Sequence, residues 1–169
     1  MKKRIAIVGT GPTGIYCLQQ LLWLGRPLAV EMFEKADQAG IGMPFSPETS
    51  SKSMLANIAS IEIPPVVDPY LDWLRAQPEA RILSYGLDPE DLDDRQFTPR
   101  LLLGEYFRDQ LLTLAASAVE AGADVRTALS EARFDVIDRI GEAAATRQIG
   151  HVIVAGDIFD TEGPEDRVI

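Results

Sequence analysis

The chain has 169 residues, 46% hydrophobic and 25% charged, the composition of one globular domain or of a domain with an appendage. Disorder, collagen and coiled coil are excluded as whole-chain readings, and no apolar run reaches the roughly 18 residues that a membrane span needs. Sixteen basic against 26 acidic residues give a net charge of −10, which argues against a nucleic-acid partner, since phosphates call for a basic face and the basic residues cluster only at 2–4.

One cysteine, Cys17, leaves no internal disulfide framework. One histidine, His151, excludes any site that needs several imidazoles from this chain alone. Met1-Lys2-Lys3-Arg4 is basic like the start of a signal peptide, but Ile5-Ala6-Ile7-Val8 runs straight into a glycine motif instead of a long apolar stretch. A cytoplasmic protein is expected.

Residues 4–8 read as a strand buried on both faces. Gly9 to Gly14 follow, and then a helix-compatible stretch with Cys17, Leu18, Leu21 and Leu22 on one side and Gly25 as its terminator. Residues 28–33 make a second strand, completing a βαβ unit within 34 residues. Residues 36–66 are irregular and rich in Gly, Pro and Ser, and a loop of that length in a compact domain is usually functional. Asp68 is placed to cap a helix starting at Pro69, with Tyr70, Leu71, Trp73 and Leu74 as its apolar face. Residues 86–95 are acidic and loop-like. Thr98 is placed to cap a long amphipathic helix that starts at Pro99 and runs to about Glu120, and Gly122 closes it. A strand is expected over 124–129, a helix over 131–145 and a strand over 151–155, followed by polar loop. The fold class is α/β, a Rossmann-like parallel sheet with a βαβ dinucleotide-binding unit at the N-terminus.

Gly9-Thr10-Gly11-Pro12-Thr13-Gly14 fits G-x-G-x-x-G. In that motif the first glycine permits a tight turn out of the strand. The second lets backbone approach a pyrophosphate, and the third lets the helix pack closely on the sheet. The N–H groups of the helix N-terminus then face the phosphates. Glu34, twenty residues after Gly14 and at the end of the second strand, is placed to accept hydrogen bonds from a ribose diol. Glu31 is a competing carboxylate, but it lies inside the strand. A 2′-phosphate would be repelled by Glu34, so the site is expected to take FAD or, alternatively, NAD. The candidate cofactor contacts here are Gly9, Gly11, Pro12, Thr13, Gly14, Glu34 and Lys35. No side chain stands out as a general acid or base, so no catalytic residue is nominated.

Several further stretches carry a family likeness. They are Ile5 to Gly14, Phe33-Glu34-Lys35, Gly40-Ile41-Gly42-Met43-Pro44-Phe45-Ser46, Met54-Leu55-Ala56-Asn57-Ile58, Tyr70-Leu71-Asp72-Trp73-Leu74, Phe97-Thr98-Pro99-Arg100 and Leu103-Gly104-Glu105-Tyr106. Through them residues 4–127 resemble the two-dinucleotide FAD/NAD(P)-binding flavoproteins, in the branch near ornithine and lysine N-hydroxylases. The resemblance implies that Gly40 and Gly42 lie along the flavin's pyrophosphate or ribityl chain, and that Asn57 and Arg100 lie near the cofactor. It implies a flavin-dependent oxidoreductase. Such flavoproteins are far longer and carry a second nucleotide-binding half, so the chain is expected to be incomplete as an enzyme, truncated or fused, with a second chain supplying the missing half.

Residues 132–169 resemble a different family. Ala132 to Glu142 and Val152-Ile153-Val154-Ala155-Gly156-Asp157-Ile158-Phe159-Asp160 are similar to calcineurin-type metallophosphoesterases, including DNA-repair exonucleases. There the Asp of such a Gly-Asp bridges two metal ions, a role that would fall on Asp157. The other ligands of that site are histidine-rich and this chain has one histidine, so no metal site is expected. A fragment of a metal-dependent phosphoesterase, or a fused non-catalytic remnant, is the alternative function. Two regions follow: a partial FAD/NAD(P)-binding domain over 1–128, and a helix–strand tail over 129–169 that is either metallophosphoesterase-like or completes the sheet.

Overall fold

The computed structural model describes residues 3–129, 141–142, 145–146 and 149–155. Four parallel strands form one sheet: β1 (Lys3–Val8), β2 (Leu28–Glu34), β3 (Asp124–Leu129) and β4 (His151–Val154), in the order β3-β2-β1-β4. β1 and β2 pair from Lys3↔Leu28 to Val8↔Phe33. β4 pairs with the other edge of β1, from Ile5↔His151 to Val8↔Val154, and β3 extends the sheet beyond β2. This is the α/β parallel sheet that the sequence predicts, and the four strands lie where expected to within a residue or so. The expected helix over 131–145 falls mostly outside the described residues.

β1 can take the centre because Ile5, Ala6, Ile7 and Val8 bury side chains on both faces. On one face Ile5, Ile7, Val30 and Met32 join the core with Ile15 and Leu18 of α1 (Pro12–Trp23) and Leu102, Leu103, Tyr106 and Leu111 of the 21-residue helix Arg100–Glu120. Gly25 follows α1 with φ +60°, and its N–H donates to the Leu22 carbonyl, the ending expected of it.

Between β2 and the long helix the chain makes a 65-residue excursion over 35–99. It contains two six-residue helices, α2 (Tyr70–Arg75) and α3 (Glu79–Ser84), and the long helix that follows is α4. The excursion is fastened to the helices by side chains that reach its backbone. Gln19 of α1, buried, donates to the carbonyls of Pro65 (3.0 Å) and Val66 (2.6 Å). Gln110 of α4, also buried, accepts the N–H groups of Val67 (2.9 Å) and Asp68 (2.8 Å). The Tyr106 hydroxyl donates to the Asp68 carbonyl at 2.8 Å. Around these bonds Tyr70, Trp73, Tyr106 and Phe107 pack ring against ring.

Two helix caps depart from expectation. Pro69 and Pro99 are themselves the N-cap residues of α2 and α4, and neither helix has a side-chain cap. Asp68 and Thr98 stand one position too early, and distant partners take their polar groups. The carboxylate of Asp68 accepts from Gln110 at 3.4 Å, while the buried Thr98 hydroxyl shares a 2.7 Å bond with the Tyr70 hydroxyl.

All four tyrosines have phenol pKa values pushed above the ordinary value. Burial is the main cause at Tyr16, Tyr70, Tyr85 and Tyr106. At Tyr85 the carboxylate of Glu105, which accepts its hydroxyl proton at 2.5 Å, adds to it. A phenol with a raised folded pKa holds its proton more tightly when folded. The stability this supplies is whole below the unfolded value of about 10 and is lost as the pH rises beyond it. In an alkaline titration, phenolate absorbance is therefore expected to rise together with the loss of circular dichroism above about pH 10. Phenolate appearing well ahead of unfolding would contradict the burial of these rings.

Candidate functional site

The site is built at the carboxyl ends of β1, β2 and β4. Gly9 leaves β1 with φ +93°, and its N–H donates to the Phe33 carbonyl at 2.9 Å. A Cβ on Gly9 would lie 2.3 Å from the Ala155 carbonyl oxygen, so the end of β4 forms the wall of the turn. A Cβ on Gly14 would lie 2.1 Å from the Gly9 carbonyl oxygen, and the first turn of α1 sits directly on the loop for that reason. Gly11 is the N-cap and Pro12 opens the helix. The first helical bond is made by the Ile15 N–H to the Gly11 carbonyl at 3.0 Å. The N–H groups of Thr13 and Gly14 precede it and so have no partner within the helix, and no acidic side chain lies in that turn. Donors and helix dipole together suit an anion.

The segment after β2 comes back over this loop. A Cβ on Gly11 would lie 3.1 Å from the Gly42 Cα, and one on Gly42 would meet the Pro12 ring at 3.0 Å. The other side of the segment lies on α4. A Cβ on Gly40 would approach the Arg108 Cα to 2.7 Å, and one on Gly104 would lie 2.7 Å from the Phe45 carbonyl oxygen and 3.0 Å from the Ile41 side chain. Residues 40–45 are thus held between the glycine loop and α4 by contacts in which at least one partner is bare backbone.

Glu34 closes the arrangement at the end of β2. Its Oε1 accepts the N–H groups of Lys35 (2.9 Å) and Ala36 (3.0 Å). Its Oε2 accepts the Thr10 N–H at 3.1 Å and the Thr10 hydroxyl. The Thr10 hydroxyl in turn accepts the Gly40 N–H at 3.0 Å. Gly9, Gly11, Pro12, Gly14, Glu34, Gly40 and Gly42 therefore meet in one network. Thr13 is exposed beside them, and Lys35 touches Glu34 through its backbone.

Asn57 and Arg100 belong to a neighbouring bridge. Leu55 pairs with Pro99, the Ala56 N–H donates to the Thr98 carbonyl at 2.8 Å and the Arg100 N–H donates to the Met54 carbonyl at 2.8 Å. The Arg100 guanidinium donates to the Leu55 carbonyl at 3.2 Å, one helical turn before Gly104, and Asn57 is exposed two residues after Leu55. Asp157 lies outside the described residues. Among the described residues no group of three or more His, Cys, Asp or Glu could hold a metal ion, and no helix is long and apolar enough to cross a membrane.

Three contributors escape the motif reading. Thr10 occupies a position the fingerprint leaves open. Ala155 acts through its backbone, and Gly104 is marked only by lying in a family-like stretch. A side chain at position 11, as in Gly11→Val, would displace Gly42 before it met any ligand.

A glycine turn that opens a helix, with a carboxylate at the end of the adjacent parallel strand, defines a dinucleotide-binding α/β protein. The comparisons agree. The FAD-NAD(P)-binding family model matches residues 6–157, and the chain belongs to that family. The match takes in β4 and ends at Asp157, and the metallophosphoesterase resemblance of the tail finds no support in it. A curated relative, the uncharacterized protein YdhS of Escherichia coli (strain K12), is 60% identical over 116 residues, which is 69% of this chain and 22% of that protein. The chain thus spans less than a quarter of that relative's length.

Gly104→Ala is expected to destabilise the chain by about 1–3 kcal/mol, the usual cost of overpacking, because its methyl must displace the Phe45 carbonyl. The midpoint of urea unfolding checks this, and an unchanged midpoint would mean that α4 does not rest on residues 41–45.

Proposed function

We propose that residues 1–128 form the FAD-binding part of a flavin-dependent oxidoreductase and that residues 129–169 complete its sheet. The observation that carries this reading is the meeting of the Gly11 and Gly42 backbones at the N-terminus of α1, with the Glu34 carboxylate at the end of the neighbouring strand. Bare backbone on two sides, free helical N–H groups and a carboxylate one strand away are the donor set and cradle that a dinucleotide requires, so the residues fit the group.

The division of labour follows from chemistry. Gly11 and Gly42 pack backbone against backbone beside the helix N-terminus, and a pyrophosphate would lie along that joined main chain. Thr13 and Gly14 supply N–H donors, and Pro12 presets the first helical turn. Glu34 faces the ribose hydroxyls; its two oxygens already accept four protein donors, so a ribose hydroxyl would share an acceptor site with one of them. Its negative charge disfavours a 2′-phosphate and therefore NADP. Lys35 stands beside it, and Asn57 and Arg100, at the Leu55–Pro99 bridge next to the first turn of α4, flank the cofactor. Bound FAD supplies the hydride and electron chemistry through its ring system, while the protein supplies position and electrostatics. The preference for FAD over NAD rests on the flavoprotein-like stretches 40–46, 54–58 and 97–106. A reductant and a substrate site would come from a second chain or from additional sequence.

The test is an absorption spectrum of the purified chain after incubation with FAD and desalting, with thermal unfolding in FAD and in NAD. A retained flavin band is expected, with stabilisation of about 2.7 kcal/mol at 100 times the Kd. Stabilisation by NAD alone would transfer the site to the nicotinamide cofactor. A folded, colourless protein that neither ligand stabilises would overturn the reading.

A further inference from the structure

The glycine fingerprint constrains positions 9, 11 and 14 and leaves position 10 open. Here Thr10 is nevertheless completely buried, at 0% exposure. Its hydroxyl has one proton and two lone pairs. The proton goes to Glu34 Oε2 and a lone pair takes the Gly40 N–H at 3.0 Å, while the backbone N–H of the same residue donates to the same carboxylate oxygen at 3.1 Å. One hydroxyl therefore joins the glycine loop, the end of β2 and the segment that packs on α4. Valine would have the same shape and could make neither side-chain bond.

We propose that Thr10 is a specificity-determining positioning residue, whose hydroxyl holds the Glu34 carboxylate in the orientation that receives a ribose 2′-hydroxyl. The inference rests on the dinucleotide reading above and adds to it the device by which the site recognises the sugar. A glutamate on a strand end has several rotamers, and a ligand that must select one of them binds more weakly for it. With the Thr10 hydroxyl present, that selection is made during folding. Without it, Glu34 Oε2 keeps only the Thr10 N–H, and the Gly40 N–H loses its acceptor. Thr10 does not itself touch the ligand in this scheme. Its effect should appear in sugar discrimination, over and above any loss of phosphate binding that comes from releasing Gly40.

The experiment is titration of the full chain and of Thr10→Val and Thr10→Ser with ADP, 2′-deoxy-ADP and inorganic pyrophosphate. The wild type is expected to prefer ADP over 2′-deoxy-ADP by about tenfold, the worth of one charge-assisted hydrogen bond. Thr10→Val should lose most of that ratio, beyond whatever common loss of pyrophosphate and ADP binding follows from releasing the Gly40 N–H, and Thr10→Ser should keep the ratio. Thr10→Val weakening all three probes alike, with the ratio preserved, would make Thr10 a merely structural residue and overturn the proposal. Tighter ADP binding by Thr10→Val would also overturn it, since the hydroxyl would then be a competitor of the ribose. A wild-type ratio near one overturns it with no variant needed, which covers the case of a valine variant that does not fold. A wild type that binds neither ADP nor FAD is the separate failure of the dinucleotide reading.

Discussion

The architecture depends on main chain lying against main chain at glycines. β4 can end against the turn at Gly9, α1 can sit on that turn through Gly14, residues 40–42 can cover Gly11, and α4 can close over residues 40–45, because the facing positions carry no side chain. Each contact is a steric permission and supplies little attraction of its own. The attraction comes from the apolar core beneath, where Ile7, Met32, Ile15, Leu102 and Leu103 are buried together. The glycines let that core close without prising the site open, and so the site geometry is a by-product of sheet and helix packing.

Polar groups refine what packing allows. The excursion over 35–99 would otherwise bring many backbone N–H and C=O groups against the helices without partners. Gln19, Gln110, Tyr106 and Tyr16 meet them at residues 64–68. A buried amide is costly unless its hydrogen-bonding capacity is used, and here both glutamines work at both ends or on two carbonyls. At the other end of the excursion Arg81 of α3 donates two bonds to Glu105 of α4, at 2.9 and 2.6 Å, and its guanidinium lies over the Trp73 ring. The same logic of backbone captured by a remote side chain governs Thr10 and Glu34, which makes the nucleotide end of the molecule continuous with its structural fastening.

The βαβ unit was legible because two independent signals coincide there: apolar runs of strand length and glycines at the three constrained positions. α4 was legible from the spacing of Leu102, Tyr106, Leu111, Leu114 and Ala118, of which all but the half-buried Leu114 are buried. α3 has six residues and one buried side chain, Ile82, too little to show a period. The caps at Asp68 and Thr98 were misread because local preference for Asp and Thr before a helix was overridden by partners 28 and 42 residues away. Gly40 and Gly42 stood out by resemblance, but nothing local reveals that they bridge Gly11 to α4. Such contacts depend on how the excursion folds back, and no window of sequence contains both partners. β4 was placed correctly as a strand, but it is not the buried-type strand that its run of Val, Ile and Val suggests: Val152 and Val154 are exposed and Ile153 is half-buried, because β4 lies at the edge of the sheet.

The position of β4 has a consequence for biosynthesis. β1 lies inside the sheet, yet among the described residues the edge away from β2 is closed by His151–Val154, and Ala155 walls the Gly9 turn on that side. Synthesis at roughly 5–20 residues per second therefore leaves this edge open for on the order of ten seconds after β1 emerges. During that interval an apolar strand offers unpaired N–H and C=O groups to any extended segment nearby. A central strand of the finished sheet is thus an edge strand of the nascent one.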